Sequence, residues 1–172
     1  MMSFTKQTRT NHNIVEIPMG GLGFTTPEKT TLQTFVGSCV AICLYDTTAQ
    51  IAAMAHIMLP KNNTNDPNPK PEAKFADVAI KIMLDKLQTS GVRLNRLKAK
   101  MAGGANIFQN EGRPNVFNIG TRNAEAIKSL LDEQKIPIVA QDIGSISGRW
   151  ITFDITSTEM KIKDRTKGVI VI

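Results

Sequence analysis

At 172 residues and 41% hydrophobic content, the chain is long enough for one packed domain, and its two cysteines exclude a disulfide framework. A net charge of +6 favours an acidic partner, but 5% aromatics and no Lys/Arg block interleaved with aromatic residues argue against nucleic acid and for an acidic protein surface. Residues 1–13 are polar and basic and contain no apolar run of signal-peptide or membrane-span length, so a flexible tail, a single domain over 14–172 and a reducing cytoplasm are expected.

The ordered part opens with a short strand at 14–17, and 18–23 turns. Residues 30–36 are extended and lead into Gly37-Ser38. Two apolar runs, 40–45 and 51–59, flank a polar patch and predict a β-hairpin. A turn centred between Thr47 and Thr48 puts Cys39 directly opposite His56, whereas a shift of one residue sends the two side chains to opposite faces. The proline-rich stretch 60–71 is a loop, placed either to cover His56 or to serve as a solvated connector.

Phe75, Val78, Ala79, Ile82, Met83 and Leu87 recur at three and four and predict an amphipathic helix over 72–89, ending before Gly91. A strand at 97–102 runs into Gly103-Gly104. A second helix is expected from about Asn123, capped by Asn123 or Thr121, and buries Ile127, Leu130 and Leu131 before Pro137. Residues 138–141, 150–155, 160–163 and 169–172 read as strands. Few helices and many strands give an α+β fold, with mixed sheets layered against helices on one side.

Cys39 after a Gly-Ser turn and His56 on the next apolar run suggest a thiol nucleophile and its base. His12, the other histidine, lies in the tail. Gly37 and Ser38 permit a backbone that turns amide N–H groups towards a developing oxyanion. Upstream hydroxyls that can orient the base are Thr30, Thr31 and Thr34, of which Thr34 is nearest. Cys43 reads as a small core residue, and on one strand it stands roughly 13 Å from Cys39, too far for a disulfide. No Cys/His/Asp cluster has metal-ligand spacing, and neither Gly20-Gly21-Leu22-Gly23 nor Gly103-Gly104 sits in the strand-to-helix setting of a phosphate loop, so no metal or cofactor is expected.

Gly37-Ser38-Cys39-Val40-Ala41-Ile42-Cys43-Leu44-Tyr45-Asp46, followed by Met54-Ala55-His56-Ile57-Met58-Leu59-Pro60, resembles the signature of the chemoreceptor glutamine deamidase family, CheD. Phe75-Ala76-Asp77, Lys100-Met101-Ala102-Gly103-Gly104-Ala105, Ile119-Gly120-Thr121-Arg122-Asn123, Asp142 and Gly148-Arg149 extend the match across residues 14–163. Gly144-Ser145 and Ser157-Thr158 depart from the family pattern, away from the proposed nucleophile.

The resemblance implies a cysteine-hydrolase-like fold with Cys39 as nucleophile, His56 as base and Thr34 as third member. It implies conversion of glutamine side chains on methyl-accepting chemoreceptors to glutamate through a Cys39 thioester, without a cofactor. Implied partners are receptor cytoplasmic helices and a CheC-type phosphatase. A non-catalytic adaptor, or a cysteine hydrolase acting on a lactone or methyl ester, are the competing expectations.

Overall fold

A computed structural model describes residues 13–107 and 118–172. Two five-stranded mixed sheets and two helices form three layers. The first sheet runs β1 (Ile14–Glu16), β3 (Thr31–Val36), β8 (Arg149–Asp154), β9 (Met160–Asp164) and β10 (Gly168–Val171). The second runs β2 (Leu22–Phe24), β5 (Ile51–Ile57), β4 (Val40–Asp46), β6 (Lys98–Gly103) and β7 (Ile138–Ile143). β1 joins β3 and β6 joins β7 in parallel, and the other pairs are antiparallel.

The middle layer explains the apolar run around Cys43. One face of the second sheet, with Val40, Ile42, Leu44, Ala53, Ala55 and Ile57, packs under α1 (Ala76–Thr89) and α2 (Ile119–Glu133). Its other face, with Ala41, Cys43, Tyr45, Ala52 and Met54, meets Leu32, Val36, Ile151, Phe153 and Ile162 of the first sheet. Every residue of β4 is therefore buried, and a strand covered on both faces has no polar alternation.

The hairpin register differs from the sequence expectation. Asp46 pairs with Ile51 and Ala41 with His56, so the turn is 47–50, centred one position further along than expected, and Cys39 is not opposite His56. The Asp46 carboxylate fixes this turn by accepting from the Thr48 and Ala49 amides at 2.9 and 3.2 Å, while Gln50 takes a left-handed φ of 53°. Asp46 is itself fully buried and paired with Arg96 at 2.7 Å. Burial raises its pKa, but the Arg96 contact and the two amides outweigh that and hold the carboxyl below its usual range. Because the slip is two residues relative to the facing strand, Ala41 and His56 share the inter-sheet face, and Cys39, on the bend before β4, packs against the core on that side.

Other boundaries also moved. Part of the expected 18–23 turn is strand β2, whose Gly23 lies opposite Met54 and lets Val15 and Ile17 approach closely. The first helix starts at Ala76, since the chain before it runs alongside Leu59, with the Ala76 N–H donated to Leu59 O at 2.9 Å. The second starts at Ile119, capped by Asn118, whose Oδ1 accepts the Thr121 N–H at 3.1 Å. Asn123 lies inside that helix, buried, and donates Nδ2–H to Met58 O at 3.0 Å. Leu130 is only partly buried, while Ile127 and Leu131 are buried. Of the expected tail over 1–13, all but Asn13 lies outside the described residues, and Asn13 is bonded to Thr30.

Candidate active site

Alternation along β5 sends Ala52, Met54 and His56 towards the first sheet, and alternation along β3 sends Leu32, Thr34 and Val36 back towards them. Thr34 and His56 consequently meet between the sheets, with Oγ1 and Nδ1 2.8 Å apart. The Thr34 hydroxyl also donates to Ile17 O at 2.8 Å. A hydroxyl has one hydrogen, so Thr34 can only accept from His56, and the hydrogen-bond network assigns the proton to Nδ1. Nε2 is left with a free lone pair, buried and without a partner among the described residues.

Burial lowers the His56 pKa from 6.5 to about 4, since the ring is only 2% exposed and, among the described residues, no carboxylate is paired with it to favour the cation. Burial likewise raises the Cys39 thiol. Both groups are therefore neutral near pH 7. Val40 pairs with Ile57 and Ala41 with His56, and Cys39 stands on the bend just before that ladder, packed on the inter-sheet side with Ala41 and Cys43. Nε2 is not bonded to the sulfur in this structure.

Cys39 sits on a bend just before β4 and is partly buried against the inter-sheet core. Its carbonyl accepts the Gly104 N–H at 2.8 Å, and Gly37 O accepts the Ala105 N–H at 2.9 Å, so the 37–39 bend is clamped to the end of β6. Gly103 makes that clamp possible: its φ is 122°, and a Cβ there would overlap the Cys39 carbonyl oxygen. Among the described residues nothing accepts the Ser38 or Cys39 N–H, so both amides are free to donate.

Arg149 holds the clamp from the other sheet. It is 1% exposed, pairs with Asp142 Oδ2 at 2.9 Å, and donates to the carbonyls of Gly103 and Gly144. The sequence marks Arg149 only as part of a motif and gives no partner for it. A groove of about 390 Å³ opens over Thr34 and His56, walled by Ile17, Pro18, Met19, Phe35, Trp150 and Glu16. Phe35 and Trp150 went unremarked in the sequence, although each falls on the outward phase of a strand where a polar residue is the ordinary choice.

The loop over 60–71 is tied to α1, the Asn62 N–H donating to Asp77 at 3.0 Å. That anchor lies on the helix side of the second sheet, while at the other end of the loop Pro71 packs against Gly20, next to Met19 of the groove. Among the described residues, no three of His, Cys, Asp and Glu come together as metal ligands, and no helix is long and apolar enough to cross a membrane.

Residues 58–164 match the family described as CheD chemotactic sensory transduction. The chain is 39% identical to the chemoreceptor glutamine deamidase CheD of Halalkalibacterium halodurans, over 91% of this chain and 97% of that one. It is 35% identical to the probable chemoreceptor glutamine deamidase CheD of Clostridium novyi, over 92% of this chain and 98% of the other. A probable chemoreceptor glutamine deamidase CheD of Clostridium kluyveri is 40% identical over 78% of this chain and 82% of its own. Among solved structures, the Bacillus licheniformis hypothetical protein YfiH aligns with a TM-score of 0.46 at 13% identity, covering 76% of this chain and 59% of that one. With these matches spanning most of its length, the chain belongs to the CheD chemotactic sensory transduction family.

Proposed function

We infer that this protein is a chemoreceptor glutamine deamidase, a hydrolase that converts selected glutamine side chains of methyl-accepting receptors to glutamate. The observation that carries the chemistry is the neutral His56 ring, held by Thr34 with its Nε2 lone pair bare on the face that Cys39 shares. The substrate assignment rests on the curated relatives' names.

In this reading the Cys39 thiol gives its proton to His56 Nε2 as Sγ attacks the glutamine amide carbon. The oxyanion takes hydrogen bonds from backbone N–H groups of the Gly37-Ser38-Cys39 bend. The imidazolium then protonates the leaving amine, the C–N bond breaks, and ammonia departs to leave a thioester. His56 next takes a proton from water, hydroxide displaces Sγ, and the proton returns to the thiolate. Thr34 acts through His56 as a positioning residue.

Because both groups rest neutral, proton transfer accompanies attack. A cytoplasmic location follows from where receptor glutamines lie. A CheC-type phosphatase is the further partner that the family resemblance suggests.

Mass spectrometry of a chemoreceptor cytoplasmic fragment tests the reading. Deamidation at particular glutamines with wild type and none with Cys39→Ala is expected. No deamidation on a panel of receptors overturns it, and a cellular effect that survives Cys39→Ala favours an adaptor instead.

A further inference from the structure

Phe35 and Trp150 face each other across β3 and β8, with ring centroids 5.3 Å apart in an edge-to-face arrangement. They remain 49% and 45% exposed on the outer face of the first sheet. Neighbouring outward positions carry Gln33, Thr152, Lys161 and Lys163, the ordinary polar surface of a sheet that faces water on one side. Trp150 is next to Lys163 across β8 and β9, and Lys163 has no ion-pair partner among the described residues. The two rings also wall the groove whose floor is Thr34 and His56, with exposed Met19 at its rim. The rings and the catalytic histidine thus line one groove, with Cys39 outside its lining.

We propose that Phe35, Trp150 and Lys163 determine substrate specificity: an apolar side chain flanking the reacting glutamine seats on the ring pair, and an acidic residue beyond it meets Lys163. This rests on the deamidase reading above. The occupant is the substrate protein itself, because the apolar wall and the His56 floor are one continuous groove. Charge points the same way, since a chain of net charge +6 carries its unpaired Lys163 beside the rings. Partly exposed aromatic pairs that anchor a partner's apolar side chain concentrate binding energy in few residues.

Steady-state deamidation of a chemoreceptor cytoplasmic fragment, followed by ammonia release, tests the proposal with wild type, Trp150→Ala, Lys163→Glu and Val139→Ala. Trp150→Ala is expected to raise KM about tenfold while kcat moves far less. Lys163→Glu raises KM severalfold at low ionic strength, a difference that shrinks as salt is added. Val139→Ala, similarly exposed on β7 of the other sheet, follows wild type. An iodoacetamide rate at Cys39 equal to that of wild type shows that Trp150→Ala keeps the catalytic pocket intact.

Should Trp150→Ala fail to fold, the substrate side supplies the same measurement. A receptor fragment with serine in place of the apolar residues flanking its modified glutamines loses about the same factor with the wild-type enzyme. A receptor fragment modified at equal KM by wild type, Trp150→Ala and Lys163→Glu overturns the docking alone, as does a fall in kcat without a change in KM. A panel of receptor fragments that wild type leaves unmodified overturns the deamidase reading and the docking with it.

Discussion

Thr34 Oγ1 stands 2.8 Å from His56 Nδ1 while donating its single hydrogen to Ile17 O, so one hydroxyl decides which nitrogen of the ring is left bare. The first sheet supplies the acceptor and the second supplies the ring. Thr34→Val removes the acceptor, frees the ring to adopt the other tautomer and is expected to lower kcat by about 10²-fold or more. Thr34→Ser keeps the hydroxyl and restores most of the rate. Deamidation kinetics on both variants check this, and equal activity in Thr34→Val removes Thr34 from the positioning role.

Folding lowers the His56 pKa from 6.5 to about 4. Between those pH values the unfolded chain binds a proton that the folded chain refuses, so this contribution is complete above pH 6.5 and is lost as pH falls towards 4. Its size is on the order of 3 kcal/mol. Urea melts from pH 7 down to pH 4 are expected to show the decline, and His56→Gln flattens it. Activity follows the same group: kcat/KM holds to well below pH 6.5 and falls near pH 4. An acid limb near pH 6.5 contradicts a buried neutral ring.

The two thiols differ in access. Cys39 is partly buried and its pKa is raised by burial, whereas Cys43 is fully buried and raised much further, with Lys100 only partly offsetting the burial. Iodoacetamide is expected to alkylate Cys39 first, at a rate that climbs with pH through and above neutrality, without the early plateau of a stable thiolate. Peptide mapping of the alkylated protein reads both points. A plateau below pH 7 indicates a resting thiolate–imidazolium pair instead.

Gly103→Ala puts a methyl group into the Cys39 carbonyl at a φ of 122°. We expect a stability loss above about 3 kcal/mol and loss of deamidation, because the clamp on the 37–39 bend has to open. Gly91→Ala is the comparison: its φ is 86°, but no atom lies within 4 Å of the added methyl, so the cost is roughly 1–2 kcal/mol of backbone strain with activity kept. Thermal melts and kinetics on the pair separate the close approach from the backbone conformation.

Arg149→Met removes the ion pair with Asp142, whose side chain is 32% exposed, and the buried guanidinium donor to the Gly103 and Gly144 carbonyls, of which Gly103 O keeps the Gly144 N–H, a loss of roughly 1–3 kcal/mol. Because Gly103 clamps Cys39, activity is expected to fall further than stability alone accounts for at temperatures where the variant is folded. Circular dichroism and deamidation at one low temperature distinguish the two effects.

The apolar hairpin, the body and end of the first helix, the Gly-Ser-Cys bend and the residue types of the site were legible along the chain, because local periodicity and turn chemistry act over a few neighbours. Tertiary structure decided the rest. The hairpin register followed from the buried Asp46 and its Arg96 partner, fifty positions away in sequence. The bare Nε2 depended on Thr34 and Ile17 meeting a strand of the other sheet, and the hold on Cys39 depended on Gly103 and Arg149. Such contacts cross from one layer to another, and no spacing along the chain encodes a distance that only packing brings about.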